Sequence, residues 1–210
     1  MSPMLLQPLP AVAYPLLTRY LQLLTHWNQK MNLTAVRDKD ILVRLHVGEC
    51  LRVAQRIPPE VETVLDFGSG GGLPGIPIQI ARPELRVTLA ESQKKKAVFL
   101  REAVRELGLS GALIHAGRVE EMPASVVFDL VTLRAVDKMA DAMQATLPRI
   151  RRFDSARGGL CLVLTSRQEV AAVIASSLDR TGFKNIEWAE PESIPATDQR
   201  VILLGSRVHS

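Results

Sequence analysis

The sequence predicts an α/β fold built on a mostly parallel sheet of seven strands, with a helical extension at its N-terminal end. Three observations carry this. From Val61 onward, short apolar runs alternate with helical stretches, the sequence form of repeated βαβ units. Ahead of Val61, apolar residues recur at three- and four-residue spacing, which is the period of helices. Between the two regimes, the run Val64-Leu65-Asp66-Phe67 empties into Gly68-Ser69-Gly70-Gly71-Gly72 and then into a second helix-like segment. A chain of 210 residues with 47% hydrophobic and 23% charged residues buries one core, and this balance excludes a disordered or collagen-like chain.

Taken in order, the first ten residues carry Pro3, Pro8 and Pro10 and are expected to be flexible, with ordered helix beginning near Tyr14 and Pro15. Leu16, Leu17, Tyr20, Leu21, Leu24, Trp27 and Met31 form one apolar stripe. A second helix is expected over 39–56, stopped by Pro58-Pro59. Strands are expected over 63–67, 86–90, 112–115, 128–133, 160–164, 185–189 and 200–204. The helices between them are placed at 75–81, 94–107, 139–150 and 169–181, with a short turn at 119–122. The division is thus a helical extension over 1–60 and a ligand-binding domain over 61–210.

Every apolar run is punctuated by Arg, Lys, Asp or Glu before it reaches the roughly 18–20 residues of a membrane span, so no membrane association is expected. The start Met1-Ser2-Pro3 lacks a basic segment followed by an apolar one, which points to a cytoplasmic address. Cys50 and Cys161 each sit in an apolar stretch and read as core thiols, not as a disulfide or a metal site. The formal charge of +4 is a mild bias toward polyanionic partners.

The glycine run is the most informative stretch. Glycines let the backbone take positive φ and let a ligand approach main-chain N–H groups that a Cβ would shield. Asp66 stands two residues before Gly68, where it can meet an ammonium or hydroxyl; a plain dinucleotide loop requires no acid at that point. Glu91 closes the next strand, where an acid accepts hydrogen bonds from ribose hydroxyls in such folds. Two acids beside one crevice suit S-adenosylmethionine, which carries a sulfonium, an ammonium and a ribose but no phosphate, better than a pyrophosphate cofactor. A nicotinamide cofactor stays formally open.

The run Asp66-Phe67-Gly68-Ser69-Gly70-Gly71-Gly72-Leu73-Pro74-Gly75-Ile76-Pro77 closely resembles the first motif of the ribosomal RNA small subunit methyltransferase G family, also called glucose-inhibited division protein B. Further similarities run in order from about Asn32 to Gly159, including Asn32-Leu33-Thr34-Ala35, Ala81-Arg82-Pro83-Glu84-Leu85 and Gly117-Arg118-Val119-Glu120-Glu121. The resemblance implies a Rossmann-like class I methyltransferase that moves a methyl group from S-adenosylmethionine to N7 of a guanine in 16S ribosomal RNA, alone or in the small ribosomal subunit. It implies cofactor contacts at Gly68, Leu73, Val119, Glu120 and Arg134; with the reading of the residues, the expected cofactor set is Asp66, Gly68, Gly70, Gly72, Leu73, Glu91, Val119, Glu120 and Arg134. The chain departs from the family where Leu45-His46-Val47-Gly48-Glu49-Cys50 replaces the usual Arg-His and Asp-Ser, and where Thr165-Ser166-Arg167 replaces a Lys-Gly pair.

Guanine N7 offers a lone pair and carries no proton, so such a transfer requires no general base and no catalytic side chain is nominated. His46 and Arg134 are candidates for positioning the substrate. Arg134 leaves a buried strand toward an expected sulfonium and therefore needs an anionic partner, whether the cofactor carboxylate, an RNA phosphate or Asp137. Three basic clusters suit RNA phosphates: Lys94-Lys95-Lys96 with Arg101 and Arg105; Arg149, Arg151, Arg152 and Arg157; and Lys30, Arg37, Lys39 and Arg44. Aromatic content of 4% excludes a broad base-stacking platform. No metal site and no protein partner are expected. A related enzyme acting on another RNA or a small molecule, and a non-catalytic cofactor-sensing RNA-binding module, are the alternatives.

Overall fold

The computed structural model describes residues 9–36, 38, 41–134, 138–152, 159–177, 186–194 and 199–207, with the backbone alone for Arg44 and Leu45. The proline-rich start through residue 8, the helix start at Lys39, the helix end at Thr181, the strand start at Asn185, and Arg37, Asp137 and Arg157 lie outside the described residues.

Strands β1 (Thr63–Phe67), β2 (Arg86–Ala90), β3 (Ala112–His115), β4 (Leu130–Arg134) and β5 (Leu160–Ser166) run parallel. Three more, β6 (Ile186–Trp188), β7 (Glu192–Ser193) and β8 (Arg200–Arg207), join them through β8, which lies antiparallel to β5. The order is β3-β2-β1-β4-β5-β8-β6, with the two-residue β7 paired to β8 off this path. The seven expected strands are present. The eighth, β7, is too short to leave a periodic trace in sequence.

The strand order reverses between β1 and β4, and in open α/β sheets such a switch point sets a crevice at the carboxyl edge of the strands. β1, β4 and β5 lie in the middle of the sheet, and their runs are accordingly apolar on both faces, with Leu65, Leu130, Val131, Leu133 and Val163 fully buried.

Helix α1 (Ala13–Asn28) takes Pro15 in its first turn and buries Ala13, Leu17, Tyr20 and Leu24, a stripe at three- and four-residue spacing. It packs on α3 (Gly75–Ala81) and α4 (Lys94–Leu107). Trp27 meets Phe99 with ring centroids 5.8 Å apart, and Arg19 pairs with Glu106 at 2.6 Å. Each large apolar side chain buried there contributes roughly 1.5–3 kcal/mol of transfer free energy. The N-terminal helices thus share one apolar core with the first strands.

The expected helix over 39–56 is resolved into two pieces, a wider π-helical stretch at Leu42–Val47 and then α2 (Gly48–Arg56). Glycine at the junction weakens the helix there, and the wider turn changes which side chains face inward. Glu49, Cys50, Val53 and Ala54 end up buried. Helix α5 (Met139–Thr146) stops short of the expected 150 because Pro148 lacks the N–H that continuation needs; the chain tightens into a 3-10 turn at Leu147–Arg149. Helix α6 (Val170–Ser176) follows a 3-10 turn at Arg167–Glu169. Phe128 belongs to an isolated bridge with Ile150, so β4 starts two residues later than expected. Both cysteines are free and buried, and burial pushes each thiol up to about 12.

Candidate functional site

The glycine loop leaves β1 at the centre of the carboxyl edge. Gly68, Gly70 and Gly72 take φ of 66°, 53° and 85°, backbone that L side chains rarely adopt. At Gly68 a Cβ would meet nothing within 4 Å, so this main chain borders open space that a ligand can enter. Gly72 and Gly75 serve packing instead: a Cβ on Gly72 would lie 2.5 Å from Ile76 Cδ1, and one on Gly75 2.3 Å from Leu89 Cδ2. Leu73 is buried beneath the loop.

Three side chains hold this loop. Glu91, 6% exposed, accepts from Gly70 N–H at 3.0 Å through Oε2 and from Gln93 N–H at 2.7 Å through Oε1. Tyr20, fully buried in α1, donates its hydroxyl to the Gly71 carbonyl at 2.6 Å. Burial raises its pKa well above the ordinary value, which keeps it a donor.

Asp66 is the third. It is fully buried, and its carboxylate accepts from Thr132 Oγ1 at 2.9 Å and from Gly75 N–H at 3.2 Å. It therefore ties β1 to β4 and to the start of α3. Burial pushes its pKa up to about 6, against the hydrogen bonds that favour the carboxylate. The sequence places Asp66 at the strand end toward a ligand; the structure gives both its oxygens to protein donors.

Arg134 ends β4. Since Phe67 pairs with Leu133, Arg134 stands level with the first glycine of the loop. Its Nη2 meets His46 Nδ1 and lies 3.4 Å from Glu49 Oε2. Glu49, 3% exposed, also lies 3.2 Å from Arg200 Nε, at the start of β8. One buried carboxylate thus joins α2, β4 and β8. His46 accepts from a guanidinium, so its Nδ1 carries no proton; burial, Arg134 and Arg200 lower its pKa to about 4. The guanidinium Nε of Arg134 is buried with no hydrogen-bond partner among the described residues.

Sequence reasoning found Arg134 and His46 but missed Glu49 and Arg200. The signal available was a Glu inside an otherwise apolar helix face, which requires a buried cation. Val119 is buried in a 3-10 turn at Val119–Glu121 after β3, and Glu120 is exposed beside it. Gly68, Gly70, Glu91, Val119, Glu120 and Arg134 therefore belong to the same carboxyl edge, along the loops after β1, β2, β3 and β4. Among the described residues no three His, Cys, Asp or Glu side chains cluster as metal ligands would, and no helix is long and apolar enough to cross a membrane.

This sheet order, with its antiparallel strand and glycine loop, defines the Rossmann-like class I methyltransferase fold. Solved structures agree: a predicted O-methyltransferase from Agrobacterium tumefaciens superposes with a TM-score of 0.60 at 16% identity, covering 79% of this chain and 82% of that one. The mitomycin 7-O-methyltransferase MmcR gives 0.61 at 18% identity, covering 93% and 67%.

Sequence comparison narrows the class. The family model described as rRNA small subunit methyltransferase G matches residues 13–170. Proteins named ribosomal RNA small subunit methyltransferase G are 42% identical over 166 residues in Xanthomonas campestris (78% of this chain, 74% of the relative) and 40% identical over 168 residues in Methylobacillus flagellatus (79% and 78%). The relative from Chromobacterium violaceum is 43% identical over 131 residues, and the match spans 62% of each chain. The chain belongs to the rRNA small subunit methyltransferase G family.

Proposed function

We propose that the protein transfers a methyl group from S-adenosylmethionine to N7 of a guanine in 16S ribosomal RNA, acting on the RNA or on the small ribosomal subunit in the cytoplasm. The observation that carries this reading is the juxtaposition, at one carboxyl edge, of an open glycine main chain at Gly68, a buried acid at Glu91 and a buried guanidinium at Arg134.

S-adenosylmethionine, when bound, supplies the sulfonium-activated methyl carbon. The residues present fit it. Gly68 offers main chain that no side chain shields, and Gly70, its N–H given to Glu91, holds that acid against the loop. Glu91 accepts from ribose hydroxyls with the lone pairs that Gly70 and Gln93 leave free. Arg134 offers its unpartnered Nε–H to the carboxylate of the methionyl end, while Glu49 offsets its charge so that it does not repel a sulfonium. Val119 and Glu120 border the site after β3. Asp66, Gly72 and Leu73 shape the loop from beneath.

Because N7 has a lone pair ready, the chain has no proton to take, and alignment of the acceptor is its main contribution. We take residues 1–60 as an N-terminal extension of the 61–210 domain; Tyr20 of α1 supports this, since it anchors the loop from outside that domain.

The test is genetic and chemical. Deleting the gene removes one borohydride- and aniline-sensitive guanine from small-subunit RNA, and the purified protein restores it with S-adenosylmethionine. RNA identical to that of the parent strain would refute the assignment.

A further inference from the structure

The three basic clusters of the sequence occupy different places. Arg149 is 6% exposed and spends its guanidinium on the carbonyls of Pro123 and Met122, both at 2.7 Å. Arg151 pairs with Asp129 at 2.7 Å, ahead of β4. Both stand at the amino edge of the parallel strands, where Arg86 also faces Glu62 at 3.7 Å. In the third cluster only Lys30 has a described side chain.

The carboxyl edge is different. Lys94 and Lys95 follow β2, Lys138 follows β4 and Arg167 follows β5; all four are exposed, and none forms an ion pair among the described residues. Most acids of this edge are otherwise engaged: Glu91 and Glu49 are buried and Glu169 accepts from Thr165 and Ser166, while Asp141 stands exposed in the first turn of α5 after Lys138. Lys94 and Lys95 also sit in the first turn of α4, where the helix dipole disfavours cations, so local structure gives no reason for them. After β3 the exposed acids Glu120 and Glu121 break the pattern.

We propose that Lys94, Lys95, Lys138 and Arg167 form the RNA-docking face, a rim of cations along β2, β1, β4 and β5 with the glycine-loop crevice at its middle, and that the amino-edge arginines take no part. This rests on the proposed RNA substrate and names the surface that meets it. Phosphates held on both sides of the crevice would present a base to it without any aromatic platform.

The experiment measures binding of transcribed 16S ribosomal RNA at several KCl concentrations. The combined variant K94A/K95A/K138A/R167A is compared with an amino-edge control, R86A/R152A, and titration with S-adenosylmethionine reports the crevice in each. The rim variant is expected to bind RNA at least about tenfold more weakly at 0.1 M KCl, with a log–log salt slope shallower by about 0.7–0.9 for each phosphate no longer neutralised. Its affinity for S-adenosylmethionine and that of the control for RNA should match the parent. Parent-like affinity and slope in the rim variant, or an equal loss in the control, would overturn the inference alone. A parent protein that binds no RNA at any salt concentration would overturn the functional reading and this inference with it.

Discussion

Glu49 and Arg134, 85 residues apart in the chain, meet inside the protein with Oε2 and Nη2 3.4 Å apart, their side chains 4% and 10% exposed. The same carboxylate reaches Arg200, 151 residues away. This carboxylate therefore holds two guanidiniums beside the crevice, and its loss leaves the nearly buried Arg134 and the partly exposed Arg200 without that counter-charge. Glu49→Gln is expected to destabilise the protein by about 3 kcal/mol, the usual cost of breaking a buried pair. It should also weaken S-adenosylmethionine binding by freeing Arg134 to move. Urea unfolding at pH 7 checks the first effect, and an unchanged midpoint would contradict it.

His46 links the same cluster to pH. Its folded pKa of about 4 lies below the ordinary 6.5, chiefly through burial and then through Arg134 and Arg200. Between these values the unfolded chain binds the proton and the folded one does not. The stability that neutral His46 contributes is thus complete above 6.5 and is lost as pH falls toward 4. The stability difference between parent and His46→Gln should grow from pH 4 to 6.5 and then level off. A difference constant with pH would show that His46 is not held neutral.

Asp66 has the opposite sign. Its folded pKa of about 6 exceeds the ordinary 3.8, so its contribution to stability is complete below 3.8 and declines as pH rises to about 6. Relative to Asp66→Asn, the parent should lose stability over that window. Unfolding at pH 4, 5 and 6.5 measures it, and a parent that gains over the Asn variant with rising pH would reverse the assignment.

The hydroxyl of Tyr20 is the tether between α1 and the loop. Tyr20→Phe keeps the ring and leaves the Gly71 carbonyl without this donor, at a cost of about 1–3 kcal/mol. Binding of S-adenosylmethionine should weaken while the far end of the sheet keeps its amide exchange protection. Protection lost evenly over the whole sheet would mean that the tether acts on global stability alone.

These relationships mark the boundary of what the sequence discloses. β1, β4 and β5 were legible because central parallel strands are continuous apolar runs, and the loop because Gly68, Gly70 and Gly72 answer a local need for positive φ. Glu91 and Arg134 followed from their places at strand ends. Asp66 was visible as an acid at the loop but not as a brace, since its partner Thr132 comes from a strand 66 residues on. Glu49 left the trace of an acid on an apolar helix face, but its partner Arg200 was illegible for the same reason, a pairing across 151 residues having no local pattern. The π-helical turn that brings His46 to Arg134 left no trace in the sequence beyond Gly48 at its end.

The most direct measurement is calorimetric titration of S-adenosylmethionine into the parent protein, Gly68→Ala and Gly75→Ala. Gly68 borders open space, so its Cβ occupies room for the ligand; Gly75 meets Leu89 and Asp66, so its Cβ disturbs packing. One binding site in the parent is predicted, with affinity in Gly68→Ala lowered at least about tenfold while its melting temperature falls less than that of Gly75→Ala. No heat of binding in the parent, or a Gly68→Ala protein that binds as tightly as the parent, would contradict the account.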